Sequence, residues 1–129
     1  MPKPSRSRDL LEFEISFYER LLKQHPTFVD ALVALGESYT RRGWYEKGLQ
    51  VDQQLTQLRP HEPVVWYNYA CSLSLLKRFD EAIDALRQGI VLGYDDFDYL
   101  SRDPDLAPLR QLPKFRRMLE SIMPSARSS

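Results

Sequence analysis

A period of 34 residues constrains what this chain can fold into more than any other feature. Laying residues 29–62 on residues 63–96 sets Leu32 on Trp66, Leu35 on Tyr69, Gly36 on Ala70 and Tyr39 on Leu73. Further along, Tyr45 falls on Phe79, Gly48 on Ala82 and Leu55 on Gly89. In the second copy Trp66, Tyr69, Ala70 and Leu73 recur at spacings of three and four, the pattern of one helix face; Phe79, Ala82, Ile83, Leu86, Ile90 and Leu92 do the same beyond Lys77 and Arg78. A connection that short joins antiparallel helices. Gly36 with Gly48, and Ala70 with Ala82, stand where paired helices touch and a larger side chain would hold them apart. One hairpin cannot bury two apolar faces, so such units stack and their ends need covering.

Taken in order, MPKPSRSR (residues 1–8) reads as a disordered lead. A helix is expected over about 9–24, with Leu10, Leu11, Ile15, Tyr18, Leu21 and Leu22 as its apolar stripe and His25-Pro26 ending it. Thr27 and Asp30 have the spacing of a capping box for a second helix reaching Arg42, where Gly43 supplies a left-handed stop. The third helix is expected over about 44–58, the fourth over 63–77 with Pro63 in its first turn, and the fifth over 80–92 before Gly93. Beyond lie an apolar patch at Phe97, Tyr99 and Leu100 and a one-turn helix capped by Asp103 with Pro104 first. A last helix opens at Pro113 with Phe115, Met118, Leu119 and Ile122 on one side. The domain expected is 9–123, made of repeats 29–62 and 63–96 and a cap at 97–123, with 124–129 a frayed tail.

The period and its residues resemble the tetratricopeptide repeat family. Trp66, Ala70, Ala82 and Leu86 match its pattern in the second copy, and Leu35, Gly36, Tyr39, Tyr45 and Pro60 in the first. Gly48, Asp52 and Tyr94 depart from it. Phe17, Tyr18, Leu21 and Pro26 echo the second helix and closing proline of a preceding repeat, while Asp103, Pro104, Leu106 and Leu109 resemble the closing segment of bacterial members. The resemblance implies an all-α, right-handed superhelix of stacked antiparallel helix pairs: about two full repeats, a flanking N-terminal helix and a C-terminal helical cap.

Composition narrows the function classes. Lys and Arg number 18 against 18 Asp and Glu, and each half, 1–62 and 63–129, balances nine against nine. With no basic face signalled, nucleic acid is not expected as a partner. No apolar run is long enough to span a bilayer and the start lacks a signal peptide's apolar core. One cysteine precludes an internal disulfide and suits a reducing compartment, so a cytoplasmic protein is expected.

The chemistry-bearing residues read as ordinary. His25 and His61 lie beside prolines in loops, without an orienting acid. Asp95, Asp96, Asp98, Asp103 and Asp105 lack the glycine turn and alternate-ligand spacing of a cation loop and suit helix starts instead. Cys71 has no histidine at a motif spacing. No phosphate loop, metal motif or paired-cysteine spacing occurs. Hence no catalytic residue, cofactor or metal ligand is assigned, and the expectation is a non-enzymatic binding module.

In the family resembled, the first helix of each repeat lines a concave groove. Carried onto this sequence, the lining is Asp30, Val33, Glu37, Thr40 and Arg41, then Val64, Tyr67, Asn68, Cys71, Ser74 and Leu75, extended by Asp98 and Ser101. Members that clamp acidic carboxyl tails use Lys, Asn and Arg along this groove, and only Asn68 fits such a place. The expected ligand is therefore an apolar or basic segment of a protein partner, held by Tyr67 and Val33 with Asp30, Glu37 and Asp98 at the rim. An adaptor is the first reading; a small dedicated chaperone shielding one secreted or assembling subunit is the second, and self-association into a homo-oligomer accompanies either. Trp44, in the turn after Gly43, either packs on the Arg41-Arg42 stems or the first helix, or anchors a partner at a second interface.

Overall fold

A computed structural model describes residues 2–122, with side chains from Ser7 onward; Met1 and residues 123–129, including the expected tail at 124–129, lie outside the described residues. The described chain contains α-helices and one 3₁₀ turn, with no strand among the described residues. It divides into two compact units, Met1–Arg59 and Pro60–Ser129.

The first unit holds α1 (Pro2–Gln24), α2 (Val29–Arg42) and α3 (Tyr45–Leu58), with α2 packed on both others. The helix α1 begins seven residues ahead of the expected Asp9. Pro2 and Pro4 do not oppose this, because amide hydrogens in a helix's first turn have no intrahelical acceptor and none is lost. The core is Ile15 from α1, Ala31, Leu32, Leu35 and Tyr39 from α2, and Leu49, Val51 and Leu55 from α3.

Close approach of α2 and α3 rests on the two glycines singled out by the period. A β-carbon on Gly48 would lie 2.9 Å from Thr40 Oγ1, and one on Gly36 3.2 Å from Asp52 Oδ1 and 3.3 Å from Val51 Cγ1. Gly43 closes α2 at φ 87°, with its N–H on Thr40 O and the Trp44 N–H on Tyr39 O. This is the paired C-terminal bonding that a left-handed residue permits. At the other end the expected capping box does not form. The helix starts at Val29 with Phe28, whose side chain has no acceptor, in the cap position, and the turn before it closes on the backbone (Phe28 N–H to His25 O, 3.1 Å).

The second unit contains α4 (Pro63–Leu75), α5 (Phe79–Val91), α6 (Phe97–Leu100), the 3₁₀ turn Pro104–Leu106, α7 (Ala107–Arg110) and α8 (Pro113–Ile122). Its helix pair repeats the first unit's turn. Lys77, 34 residues after Gly43, takes φ 62°, and the Arg78 N–H reaches Leu73 O as Trp44 reaches Tyr39. Ala70 and Ala82 are fully buried at the crossing, with Leu73, Ile83 and Leu86 around them. Each such leucine or isoleucine contributes about 1.5–3 kcal/mol relative to exposure. Trp66 and Tyr69, placed with them by the pattern, are only half-buried; the indole N–H is held by Pro60 O at 2.8 Å.

The rest of the second unit folds back on this pair. The 3₁₀ turn packs on α4, and α8 on α5 through Phe115 and Met118. Asp96 accepts from Tyr99 N and Asp103 from Asp105 N, so the acidic run supplies caps, as its positions suggested.

Candidate interaction site

The structure gives the two expected rows of groove residues opposite fates, and each is described within its own unit. In the second unit, Pro63 starts α4 and thereby sets Tyr67, Cys71 and Ser74 at spacings of four and three on one face. That face is not open: Tyr67, Cys71 and Ser74 are 5%, 9% and 2% exposed.

Their cover is the chain's own segment around Asp103. The Tyr67 hydroxyl donates to Asp103 Oδ2 at 2.6 Å and the Cys71 thiol to the same oxygen at 3.6 Å; Asp105 N–H takes Oδ1 at 3.0 Å. Ser74 Oγ donates to Asp105 O at 2.6 Å, and Arg110 ties the segment down through Leu100 O and Asp103 O at 2.9 and 2.8 Å. Tyr94 stacks flat on the Tyr67 ring with centroids 4.3 Å apart, and Leu106 and Leu109 are fully buried beneath. The expected trough along α4 is thus corrected to a filled one: a buried face of hydroxyls and a thiol needs acceptors, and the Asp103 carboxylate and Asp105 carbonyl are them.

Burial, followed by the hydrogen bond to Asp103, pushes the Tyr67 phenol well above its ordinary value. Desolvation, then the Asp103 charge, raises Asp105. Donor atoms of Cys71, Asp103 and Asp105 lie within 4.8 Å of one another. Asp103's two oxygens are already engaged by three donors, so the group reads as a hydrogen-bonded knot holding the cap. The remaining residues expected on this helix fare differently: Val64 is 57% exposed, Asn68 and Leu75 are half-buried, and Asp98 and Ser101 are exposed.

In the first unit the corresponding row stays accessible. Asp30 and Glu37 are exposed on α2 with half-buried Val33 between them. Thr40 is turned inward, its hydroxyl on Gly36 O at 3.1 Å. Arg41 is drawn aside to α1, bonding Glu14 at 3.2 Å, and does not serve the row. Tyr39 and Glu19 share a short hydrogen bond, so α1 is the neighbour that orients α2.

Trp44 is half-buried and lies between cations, with Arg42 Cζ 4.8 Å and Lys47 Nζ 4.9 Å from the ring. Of the two roles considered for it, this is the packed one. The sequence contained the Asp103-Pro104 cap signal but not its target. A carboxylate bonding Tyr67 across 36 residues has no local spacing to announce it.

Comparison with known proteins agrees with this architecture. Residues 11–89 match the family model described as "Anaphase-promoting complex, cyclosome, subunit 3". A chloroplastic protein of Arabidopsis thaliana is 31% identical over 90 residues, 67% of this chain, and the matched stretch is 27% of that protein. The chain thus spans well under two thirds of this relative. Among the described residues no helix is long and apolar enough to cross a membrane. Families of this repeat type are generally non-catalytic, and their helical repeats suggest a protein-protein interaction module. From the 34-residue period, the twice-used helix turn and the match over residues 11–89, the chain belongs to the tetratricopeptide-type repeat family represented by that model.

Proposed function

We propose that this chain is a non-enzymatic interaction adaptor whose accessible α2 row, Asp30, Val33 and Glu37, takes a short partner segment carrying an apolar residue flanked by basic ones. What supports the reading is the contrast in accessibility: Asp30 and Glu37 are exposed with Val33 half-buried between them, while Tyr67, Cys71 and Ser74 of α4 are spent on the chain's own cap. Val33 offers a shallow apolar contact and the two carboxylates, seven residues apart and so on one side of the helix, favour cations around it. Tyr67, Cys71 and Ser74 leave the proposed lining. Nucleic acid stays an unsuited partner because the chain's charge balances. The lone buried thiol fits a reducing compartment, for which we take the cytoplasm.

A surface of this size implies weak binding, with Kd of about 10–100 μM. Fluorescence anisotropy with labelled basic-apolar, neutral and acidic peptides tests the reading. The basic-apolar peptide is expected to bind the wild type and to lose most of its affinity to Glu37→Lys and Val33→Asp. Preference for the acidic peptide, or indifference to both substitutions, would overturn it.

A further inference from the structure

The face of α1 that points away from α2 carries Leu10, Phe13 and Phe17, which are 60%, 64% and 47% exposed, with half-buried Leu21 continuing the line. Spacings of three, four and four keep these residues on one side of the helix. Beyond Leu21 the line runs into a shallow cleft of about 560 Å³ that also touches His25, Pro26 and Phe28. Phe28 is itself 44% exposed.

The 34-residue register says what kind of face this is. Phe17 corresponds to Val51 of α3, which is buried and whose Cγ1 would lie 3.3 Å from a β-carbon on Gly36 of α2. Leu21 corresponds to Leu55, 2% exposed. The part of the exposed face of α1 made by Phe17 and Leu21 is therefore the part that α3 buries in its helix pair, while Phe13 corresponds to Lys47, exposed on α3. A helix cannot dock there in the same way, however. At the position of Gly48, where α3 meets α2 at close range, α1 carries Glu14, already engaged by Arg41 and Ser38.

We propose that a second copy of this chain covers the face, with the two α1 helices crossing antiparallel. The pattern is self-complementary about one point. Phe13 and Phe17 are centred on position 15, Leu10 and Leu21 half a residue later, and Asp9 and Arg20 half a residue earlier. Antiparallel pairing about that point sets Phe13 against the other copy's Phe17 and Leu10 against its Leu21. Asp9 and Arg20, eleven residues apart, return to within about 20° of the same helix flank. Both are exposed, so each Asp9 faces the other copy's Arg20, twice by symmetry. A parallel arrangement would carry each flank to the opposite side of the contact and leave the pairs of Asp9 with Arg20 unmade. The charges thus select both the partner and its direction, and Glu14, near the symmetry point, is neutralised by Arg41.

Sedimentation of the full chain across concentrations up to about 200 μM is expected to show a monomer-dimer equilibrium in the micromolar range. Phe13→Asp/Phe17→Asp should abolish the dimer while circular dichroism shows the helices intact, since both positions face solvent. Arg20→Asp alone should raise the dimer Kd about tenfold by setting like charges across the contact, and Asp9→Arg/Arg20→Asp should restore it. A chain monomeric throughout, a dimer indifferent to Phe13→Asp/Phe17→Asp, or a double charge reversal no better than Arg20→Asp would each overturn the proposal. So would a monomer that binds another protein through Phe13 and Phe17.

Discussion

Helices α2 and α4 occupy the same place in successive repeats, yet one presents its outer row to solvent and the other is closed by its own chain. Residue by residue, Asp30, Val33, Glu37 and Thr40 in the first correspond to Val64, Tyr67, Cys71 and Ser74 in the second. The charged members sit on the accessible row. The second row leaves Val64 exposed and covers neutral but polar groups, a phenol, a thiol and a hydroxyl that must each find a partner once buried. The Asp103 segment supplies those partners. The same helix position is therefore left accessible in one repeat and capped in the other, according to the few side chains facing outward.

That contrast can be broken most forcefully through the cap's anchor. Leu106→Ala removes a fully buried side chain from the filled row and should cost about 2–4 kcal/mol in urea unfolding of the full chain. Val33→Ala on the open row should cost well under half as much. Equal losses would mean the two rows are not differently used.

A smaller loss, about 1–3 kcal/mol, is expected from Asp103→Ala, which strips acceptors from Tyr67, Cys71 and Asp105 together. Tyr67→Phe removes one of those donors and should cost about 1 kcal/mol, read from the same urea midpoints.

The pH dependence sharpens the comparison. Burial and the bond to Asp103 raise the folded Tyr67 phenol above its unfolded value of 10.0. Its contribution is fully present below about pH 10 and drains away as pH rises from there toward the folded value, because only the unfolded phenol ionises readily. Tyr39 on α2 is raised in the same direction, by burial first and by Glu19 second. Urea midpoints should fall above about pH 10, and Tyr39→Phe/Tyr67→Phe should flatten the fall. An unchanged slope in that variant would assign the alkaline loss elsewhere.

The smallest effect concerns the turns. Gly43 and Lys77 take the same left-handed conformation, which strains a residue with a β-carbon. Lys77→Gly should stabilise by about 0.5–1 kcal/mol, and Gly43→Ala should destabilise by a similar amount, both measured by thermal unfolding. A loss from Lys77→Gly would show that the lysine side chain is needed for more than the turn.

Much of the fold was legible from residue order. The helix pairs, the glycine and alanine crossings, the stop at Gly43, the start at Pro63 and the Asp103-Pro104 cap all follow from spacings within a turn or a hairpin. Thr27 and Asp30 have the spacing of a cap without its geometry, so the start of α2 does not follow from them. The cap position falls one residue beyond Thr27, on Phe28, whose side chain has no acceptor to offer. Trp66 and Tyr69 share a period with Leu73 but only Leu73 is fully buried; period assigns a face, not the depth at which each residue sits in it. The burial of Tyr67, Cys71 and Ser74 escapes the sequence for a related reason. The resemblance to a grooved family named a row on α4 without saying what would lie over it.

Sequence by itself determined that this chain is a helical repeat, where its helices turn, and which two positions per repeat must stay small, because those properties depend on neighbours three, four and 34 residues away. Only the tertiary structure decided that Tyr67, Cys71 and Ser74 are sealed under Asp103 and Leu106 while Asp30 and Glu37 face solvent with Val33 half-buried between them. The physical reason is that burial and hydrogen-bond pairing are set by whatever the folded chain brings alongside, and Asp103 approaches Tyr67 from 36 residues away, a distance at which no periodicity carries information.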